Sequence, residues 1–452
     1  MTMDVHGKKV SLVGIGRTSV SLARLLKREG AEPFLTDVQS AQELAAFTPQ
    51  LDEMGVAYEV GGHTARAFEH AALVIPSPGV PPGLPCIRAA REVGADVVSE
   101  LEFSFPYCRS RILAVTGTNG KTTTTELLRC LVAACGEEVI LAGNNATPFS
   151  TAVLADPAPP FMVLEISSYQ LELARTFRPW IATVLNVTPD HLARHGSIEA
   201  YAAAKARIFA CQQENDKSAI NIDDPHVRAM ASSTRGTIWQ YSLSEKVDRG
   251  LWVRGNDICL GELHIADVSD TLLPGRHNLQ NVLAALTMMY AGGFDFDDVL
   301  AGLRAFRGVE HRIEHVLERD GVDYFNDSKS TNIDSLRVAL ESFHNPVVLI
   351  AGGRGKGSDY APLRELVQRH VKQLVCIGED TPLLIAAFGD LVPVVPAESM
   401  EDAVQRAANA ASTGDAVLLS PACASFDMFD NFEHRGAVFK ECVRAIAQGA
   451  LR

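Results

Sequence analysis

The chain has 452 residues, enough for about three domains of ordinary size. Its 41 Lys and Arg residues against 55 Asp and Glu residues give a formal charge of −14, which disfavours a general nucleic-acid surface and requires local cationic pockets for anionic ligands. The nine cysteines include no CxxC pair, which predicts a protein of a reducing compartment without a disulfide framework. No apolar run approaches the roughly 20 residues of a membrane span, so we expect a cytoplasmic protein.

The N-terminal segment predicts half of a dinucleotide-type fold. It has the pattern of a strand, a glycine turn, a helix and a second strand that ends at Asp37. Ser19 stands where the NAD fingerprint needs a third glycine after Gly14 and Gly16, so NAD is disfavoured while a plain nucleotide or diphosphate ligand stays open. The later loop PSPGVPPGLP is too rich in proline for regular structure, and its Ser77 is either a ligand contact or part of a stiff surface loop.

A phosphate-binding loop is predicted by the stretch VTGTNGKTTTT, which joins a strand to a helix. Gly117 and Gly120 leave the turn free of Cβ atoms, so backbone N–H groups can converge on an anion at the start of the helix. Lys121 then reaches the outer phosphates, and Thr122 has the position of a Mg²⁺ ligand. The standard P-loop would need a glycine in place of Val115, so an ordinary helix-opening turn is the alternative.

From Arg111 onward, apolar runs alternate with helical stretches, which predicts a mostly parallel sheet with helices on both faces. The runs cover residues 112–115, 139–142, 161–166, 181–186 and 219–222. Polar residues stand at or just after the ends of four of them: Lys121, Asn144, Glu165 and His191. Because parallel strands share one carboxyl edge, we expect these side chains to form a single site.

Three side chains of this central region have competing interpretations. A buried Glu165 favours Mg²⁺ held together with ATP phosphates, whereas an exposed Glu165 would be an ordinary strand end. His191 is either a member of the same site or a surface residue at a helix start. Lys205 falls on the apolar stripe of its helix, so it must bind an anion, reach water along its stem or be chemically altered, and the sequence leaves all three open.

A third unit begins near His311 and has the strand and helix pattern of another doubly wound sheet. Its motif NDSKSTN brings Asp327, Lys329 and Thr331 together after a strand. The glycine-rich GGRGKGSD carries Lys356, which we interpret as a point charge for a carboxylate or phosphate. The segment SPACASF, which ends in Ser425 and Phe426, follows a strand and is expected to expose backbone N–H groups that bind a carboxylate.

The segment from His311 to His315 matches the HxxEH zinc-protease pattern, which requires a helix. Asp320-Gly321 predicts a hairpin turn instead, so a strand is expected and zinc is disfavoured.

Seven motifs stand in the order found in one enzyme family. They are GTNGKT, EISSYQLE, NVTPDH with Lys205 downstream, GRHNLQN, HR at 311–312, NDSKSTN and SPACASFDMFDNFEHRG. Over nearly its whole length the chain resembles the Mur ligases, ATP-dependent amide-forming enzymes of peptidoglycan precursor synthesis. The resemblance implies three α/β domains: a Rossmann-like domain at 1–106 for the UDP end of the substrate, a central P-loop ATPase-like parallel sheet at 107–308, and a Rossmann-like domain at 309–452 for the incoming amino acid.

The last two motifs resemble those of the members that add D-glutamate. The resemblance implies that ATP phosphorylates the alanyl carboxylate of UDP-N-acetylmuramoyl-L-alanine, and that the amine of D-glutamate attacks the acyl phosphate. It also implies two Mg²⁺ ions, and we expect a monomer with no nucleic-acid or membrane partner. Three alternatives stay open: a folylpolyglutamate synthase, which would not explain SPACASFDMF, a nucleotide-binding regulator without turnover, and a dehydrogenase based on the Gly14 turn.

The resemblance also implies a role for each matching residue. The catalytic residues are Lys121, Glu165, His191, Lys205 and Lys329. The ATP-binding residues are Gly117, Thr118, Asn119, Gly120, Lys121, Thr122, Thr123, Asn278, Arg312 and Asp327. The substrate-binding residues are Gly16, Arg17, Thr18, Asp37, Ser77, Asn144, Ser167, Thr331, Lys356, Ser425 and Phe426. The metal ligands are Thr122, Glu165, His191 and a Lys205 that CO₂ has carbamoylated. Ala193 departs from the pattern, because an acidic residue is expected there.

Overall fold

A computed structural model describes residues 3–144, 147–355, 357 and 359–448. The chain divides into two units, one of Met1–Asp267 with Gln280–Leu303 and one of Val268–Leu279 with Arg304–Arg452. The first unit holds two sheets and the second holds one, and all three are mainly parallel. The predicted α/β class is therefore confirmed, whereas the domain boundaries at 106/107 and 308/309 stay predictions.

The first sheet has five parallel strands in the order β3-β2-β1-β4-β5. The strands are β1 (Lys9–Val13), β2 (Glu32–Thr36), β3 (Ala57–Glu59), β4 (Ala71–Pro76) and β5 (Asp96–Val97). The helices are α1 (Arg17–Arg28), α2 (Thr48–Glu53), α3 (Ala65–Phe68), α4 (Pro85–Glu92) and α5 (Glu100–Ser104). The strand order changes direction between β1 and β4, and such a switch point is where open α/β sheets bind ligands.

The second sheet has nine strands in the order β14-β13-β12-β11-β10-β9-β6-β8-β7. The strands are β6 (Arg111–Thr116), β7 (Val139–Gly143), β8 (Phe161–Glu165), β9 (Ile181–Val184), β10 (Lys217–Asn221), β11 (Thr237–Ser242), β12 (Gly250–Arg254), β13 (Asp257–Leu260) and β14 (Leu263–Asp267). Every pair from β7 through β12 is parallel, and β13 and β14 extend the edge in antiparallel fashion. The strands β11 to β14 were not predicted from the sequence.

Helices flank or follow this sheet. They are α6 (Lys121–Ala134), α7 (Phe149–Ala152), α8 (Ser168–Leu171), α9 (Leu192–His195), α10 (Ile198–Ala206), α11 (Pro225–Ala229), α12 (Arg276–Gly292) and α13 (Phe296–Ala305). Leu127, Leu128, Leu131 and Val132 are the buried apolar residues of α6. Among the described residues, no helix combines the length and apolar character that crossing a bilayer requires.

The third sheet has the order β15-β16-β20-β17-β18-β19, with only the edge pair β15 and β16 antiparallel. The strands are β15 (Glu314–Arg319), β16 (Val322–Asn326), β17 (Val347–Gly352), β18 (Val371–Ile377), β19 (Val394–Pro396) and β20 (Ala416–Leu419). The helices are α14 (Ile333–Glu341), α15 (Arg364–His370), α16 (Thr381–Phe388), α17 (Met400–Ala410) and α18 (Phe432–Ala447). The sequence pattern predicts a helix over 363–371, but Val371 already pairs with Val347 as the first residue of β18, so the helix ends at His370.

The hairpin that joins β15 to β16 confirms the sequence-based interpretation of the HxxEH pattern. Asp320 and Gly321 both have positive φ, at 55° and 76°, as a tight two-residue hairpin turn requires. His315 lies on β15 and His311 lies in the loop before it, so the two histidines do not share a helix face. The geometry that the zinc-protease pattern needs is therefore not formed.

A buried carboxylate joins the two sheets of the first unit. Glu102 in α5 is 1% exposed, and its oxygens accept hydrogen bonds from the Arg175 N–H (2.7 Å), the Thr176 N–H (2.9 Å) and the Thr176 hydroxyl (2.6 Å). These donors lie in the segment between α8 and β9. A charged acceptor strengthens such bonds, so Glu102 fixes this segment against α5.

We predict that Glu102→Ala destabilises the first unit by about 2–3 kcal/mol, because each buried donor left without a partner costs roughly 1–3 kcal/mol. Urea unfolding followed by circular dichroism measures the change. Glu92→Ala, at the exposed end of α4, is the control and should shift stability by no more than about 0.5 kcal/mol. Equal effects of the two substitutions would contradict the role given to Glu102.

Candidate functional site

The loop between β6 and α6 is fixed by a glycine at its end and by hydrogen bonds to Asn186, which follows β9. Gly120, in the left-handed region at φ 84°, begins α6, and a Cβ there would lie 2.2 Å from Asn281 Oδ1. The Thr118 N–H donates to the Asn186 carbonyl (3.0 Å), and the Asn119 N–H donates to the Asn186 side-chain oxygen (2.9 Å). These contacts fix the loop at the helix start, where N–H groups favour an anion.

Two lysines converge on one carbonyl in this loop. Lys121 Nζ donates to the carbonyls of Gly117 (3.0 Å) and Thr118 (2.9 Å), and Lys205 Nζ donates to the Gly117 carbonyl as well (2.8 Å). The two ammonium groups thus share an acceptor although they are far apart in sequence. Such a pair of like charges favours an anion bound between or beside them.

Lys205 is almost completely buried, with 1% of its surface exposed. Its Nζ lies 4.4 Å from the centre of the Tyr201 ring, which is buried as well. Burial, and then the charge of Lys121, lower the pKa of Lys205 to about 7. The exposure excludes the interpretation that Lys205 reaches water, so an anionic partner or a chemical alteration remains.

Glu165, the last residue of β8, is 2% exposed and offers an unused carboxylate oxygen. Its Oε1 accepts a hydrogen bond from Asn144 Nδ2 (3.0 Å), whereas its buried Oε2 has no hydrogen-bond partner in the described part of the chain. A buried carboxylate oxygen without a donor is suited to a hard cation such as Mg²⁺. The structure therefore excludes the alternative of an exposed strand-end Glu165.

His191 lies in a tight turn just before α9. Its backbone has φ 53°, its side chain is exposed, and its ring centre is 5.0 Å from that of Tyr169, four residues after Glu165. Arg194 holds this turn by donating to both oxygens of Glu172 (3.1 and 2.8 Å) and to the Val80 carbonyl (3.2 Å). The neighbouring Ala193 is exposed and adds no acidic group.

The structure brings several of the predicted residues of the second sheet to its carboxyl edge. Strands β6, β8 and β7 run in register, with Val115 and Gly143 both paired to Glu165. Thr122 and Thr123 occupy the first turn of α6 and are half-buried. Ser167 caps α8 by accepting from the Gln170 N–H (3.3 Å).

A second group of predicted residues lies at the switch point of the first sheet. A cavity of ≈ 330 Å³ is lined by Gly14, Ile15, Gly16, Arg17, Thr18, Asp37, Val38, Gln39 and Ser77. Asp37 is fixed by two backbone donors, Ile15 N–H (2.6 Å) and Gln39 N–H (2.9 Å). The Ser77 hydroxyl donates to the Gly14 carbonyl (3.2 Å), which ties the proline-rich loop to the glycine turn.

In the second unit, Asp327 is a buried carboxylate at the end of β16. It accepts from the Ile313 N–H (3.2 Å) and the Ser420 hydroxyl (2.7 Å), and burial raises its pKa to about 7. Asn278 is also buried, and its amide donates to the Pro274 carbonyl (2.7 Å). Arg312 is exposed in the loop before β15, next to Ile313, whose N–H donates to Asp327.

The remaining predicted residues of this unit lie on two loops. Lys329 is exposed, 5.7 Å from the centre of the Phe432 ring, and Thr331 is half-buried two residues later. Ser425 is buried, whereas Phe426 is 65% exposed, an unusual environment for a large apolar side chain. Lys356 lies outside the described residues.

Among the buried charged residues of this unit that the sequence-based analysis missed, Arg435 and Asp380 bind loop groups. Arg435 on α18 donates to Ser328, Cys423 and Ala424. Asp380, before α16, accepts from the Gly355 N–H (3.2 Å) and the Tyr360 hydroxyl (2.7 Å). A signal for Arg435 was available, because it stands four and eight residues before Phe439 and Val443 on the apolar stripe of its helix.

Sequence profiles of three Mur ligase domains match the chain. The MurD-like N-terminal domain matches residues 8–99, the Mur ligase middle domain matches residues 115–289, and the Mur ligase glutamate ligase domain matches residues 311–423. Together the three profiles cover most of the chain in a single order. The same order was found among the seven motifs.

Full-length relatives agree with these profiles. A protein of Koribacter versatilis named UDP-N-acetylmuramoylalanine--D-glutamate ligase is 42% identical over 99% of both chains. A protein of the same name from Acidobacterium capsulatum is 40% identical over 98% of this chain and 97% of its own. The solved structure of UDP-N-acetylmuramate-alanine ligase from Thermotoga maritima has the same fold, with a TM-score of 0.54 and 19% identity over 98% of this chain and 100% of that one.

We predict that Glu165→Gln weakens Mn²⁺ binding, measured by electron paramagnetic resonance with ATP present, by about tenfold or more, a range seen even for residues that only support a metal ligand. Gln keeps the shape of the side chain and removes the charge that a divalent cation needs. Glu138→Gln, at an exposed position, is the control. Unchanged Mn²⁺ affinity in Glu165→Gln would mean that the orphaned oxygen serves another partner.

Proposed function

The chain belongs to the Mur ligase family, and on that premise we propose that it joins D-glutamate to UDP-N-acetylmuramoyl-L-alanine at the expense of ATP. The observation that carries the proposal is the convergence of Lys121 and Lys205 on the Gly117 carbonyl, beside a helix start that is built for phosphate. The choice of D-glutamate is supported by the names of the relatives that are 40–42% identical along the whole chain.

The reaction needs an activated acid, because a free carboxylate is a poor electrophile at neutral pH. Transfer of the γ-phosphoryl group of ATP to the alanyl carboxylate gives an acyl phosphate, in which phosphate is a good leaving group. The amine of D-glutamate then attacks the acyl carbon, the new C–N bond forms through a tetrahedral intermediate, and phosphate departs. The products are the amide, ADP and phosphate.

The phosphate loop stabilises the charge of the transferring group. We assign the ATP phosphates to the backbone of Gly117, Thr118, Asn119 and Gly120, with Lys121 as the cation and the Thr122 and Thr123 hydroxyls at the helix start. Asn278, Arg312 and Asp327 are assigned to the rest of ATP. The Glu165 environment fits Mg²⁺, which when bound neutralises charge on the phosphoryl oxygens. Thr122, Glu165, His191 and a carbamoylated Lys205 are the proposed ligands of two ions.

Carbamoylation explains how Lys205 tolerates its position. The ammonium first loses one proton. The neutral amine then attacks CO₂, an N–C bond forms as one C–O π bond breaks, and a second proton leaves the nitrogen, so a buried cation becomes an anion. A pKa of about 7 keeps much of this amine neutral at physiological pH, and the neutral form is the one that reacts. The product is a carboxylate-like ligand next to the phosphate loop, where a divalent cation prefers oxygen.

The remaining residues are assigned to the two substrates. Gly16, Arg17, Thr18, Asp37 and Ser77 are proposed to hold the uridine nucleotide in the cavity of the first sheet, and Asn144 and Ser167 to contact the same substrate at the second. Lys329, Thr331, Lys356, Ser425 and Phe426 are proposed for the acceptor amino acid and the reacting groups. D-glutamate carries two carboxylates, which need cations and N–H donors of this kind.

Phosphate release tests the proposal directly. We expect the purified protein with ATP, Mg²⁺ and UDP-N-acetylmuramoyl-L-alanine to release phosphate when D-glutamate is added, and to stay at background with L-glutamate or no amino acid. Lys121→Ala should lower kcat by about 100-fold or more, as loss of one transition-state donor does. Lys27→Ala, exposed on α1, is its control. Equal release with L-glutamate would refute the stereochemical assignment, and no release with either would refute the substrate.

The Lys205 assignment has a separate test. Incubation with ¹³C-bicarbonate should give the wild-type protein a carbamate signal in ¹³C NMR, and Lys205→Arg should lack both that signal and the ligase activity, because guanidinium stays charged and does not react with CO₂. Lys217→Arg on β10 should keep both. Full activity in Lys205→Arg would rule out a required carbamate.

A further inference from the structure

One buried side chain connects the two loops of the second unit that we assign to the acceptor. Arg435 Nε donates to the Ser328 hydroxyl (3.0 Å), and one terminal nitrogen donates to the Ser328 carbonyl (2.8 Å) and the Cys423 carbonyl (3.1 Å). The other terminal nitrogen donates to the Ala424 carbonyl (3.3 Å). A single planar fork therefore spans the loop after β16 and the loop after β20.

Packing alone does not require an arginine at this position. Arg435 is fully buried, and within the described chain its hydrogen bonds go to uncharged oxygens and not to a carboxylate. Burial lowers its pKa to about 10, so the guanidinium remains charged at neutral pH. A buried charge is costly unless its hydrogen bonds are made, and the planar fork makes four of them. The geometry of the fork, which reaches two loops, is therefore the feature that distinguishes this side chain from an apolar one.

The loops have little freedom to shift around this fork. Ala422 has φ 57°, a left-handed conformation, and a Cβ on Gly353 would lie 2.3 Å from the Ala424 carbonyl oxygen. The Gly352 N–H also donates to the Pro421 carbonyl (2.9 Å). These contacts hold the loop after β20 against the end of β17. Arg435 joins it to the loop after β16, beyond the hydrogen bond from the Ser420 hydroxyl to Asp327 (2.7 Å) at the base of the two loops.

Each loop continues directly into a residue assigned to the acceptor. Lys329 follows Ser328, and Ser425 and Phe426 follow Ala424. We propose that Arg435 is a positioning residue that fixes the distance between Lys329 and the Ser425–Phe426 pair, and so determines the affinity for the amino-acid substrate. This inference rests on the proposed function, because it concerns the acceptor of that reaction.

Steady-state kinetics with three variants tests the inference. Arg435→Lys keeps the charge but replaces the planar fork and its four hydrogen bonds by a single nitrogen on a flexible stem. Ser328→Ala removes one acceptor and leaves the guanidinium in place. Arg444→Lys is the matched control, since Arg444 is exposed on the same helix. We expect the KM for D-glutamate to rise about tenfold in Arg435→Lys and about threefold in Ser328→Ala, while the KM values for ATP and UDP-N-acetylmuramoyl-L-alanine stay within about twofold.

The outcomes separate this inference from the proposed function. Wild-type protein without D-glutamate-dependent phosphate release would refute the function, and the inference with it, before any variant is measured. With an active wild type, an unchanged KM for D-glutamate, an equal rise in all three KM values, or a fall in kcat alone would overturn the positioning role. If Arg435→Lys folds, as judged by circular dichroism, its KM values decide the outcome. If Arg435→Lys does not fold, the KM values of Ser328→Ala decide it.

Discussion

The first unit is organised around two lysine ammonium groups that are drawn to one carbonyl oxygen. Lys205 lies in a helix whose apolar face packs into the core, so its charge has no route to solvent. Lys121 comes from the start of another helix and adds a like charge at the same oxygen. Electrostatic repulsion and desolvation both act against this arrangement, and a bound anion or loss of the charge on Lys205 relieves it. Glu165 lies on β8, next to β6, and one of its carboxylate oxygens has no hydrogen-bond donor among the described residues. This oxygen favours a cation.

These groups meet because of the direction of the strands. Neighbouring parallel strands end at the same edge, so β6 delivers the phosphate loop, β8 delivers Glu165 and β7 leads into Asn144. Tight left-handed turns at Gly120 and His191 then start helices at that edge. This arrangement draws on residues from Gly117 to Lys205, and the sheet positions them more precisely than a single loop would.

The second unit uses buried charge in a different way. Asp327 and Arg435 are both buried, and both form hydrogen bonds with backbone and hydroxyl groups of the loops. Asp380 does the same from another loop, through Gly355 and Tyr360. Buried networks in which every member is satisfied make loops rigid. The exposed Lys329 and Phe426 are thus carried on loops whose bases are held by charged side chains.

The sequence by itself determined the features that depend on neighbours along the chain. Glycine turns after apolar runs predicted the phosphate loop, Asp320-Gly321 predicted the hairpin, and helical spacing placed Lys205 on a buried face. The order of motifs indicated the Mur ligases. Strand and helix bounds were less certain where a β-branched residue such as Val371 joins a strand directly after a helix.

Only the tertiary structure decided which groups are partners. A charged residue on an apolar stripe indicates burial, but the acceptor of its hydrogen bond depends on strand order and register. The local sequence pattern therefore did not predict that Lys205 donates to the Gly117 carbonyl. It did not predict that Arg435 joins two loops either. The antiparallel extension from β12 to β14 was missed for the same reason. Whether a segment forms an edge strand depends on its pairing with other strands, and the local sequence pattern predicts this pairing poorly.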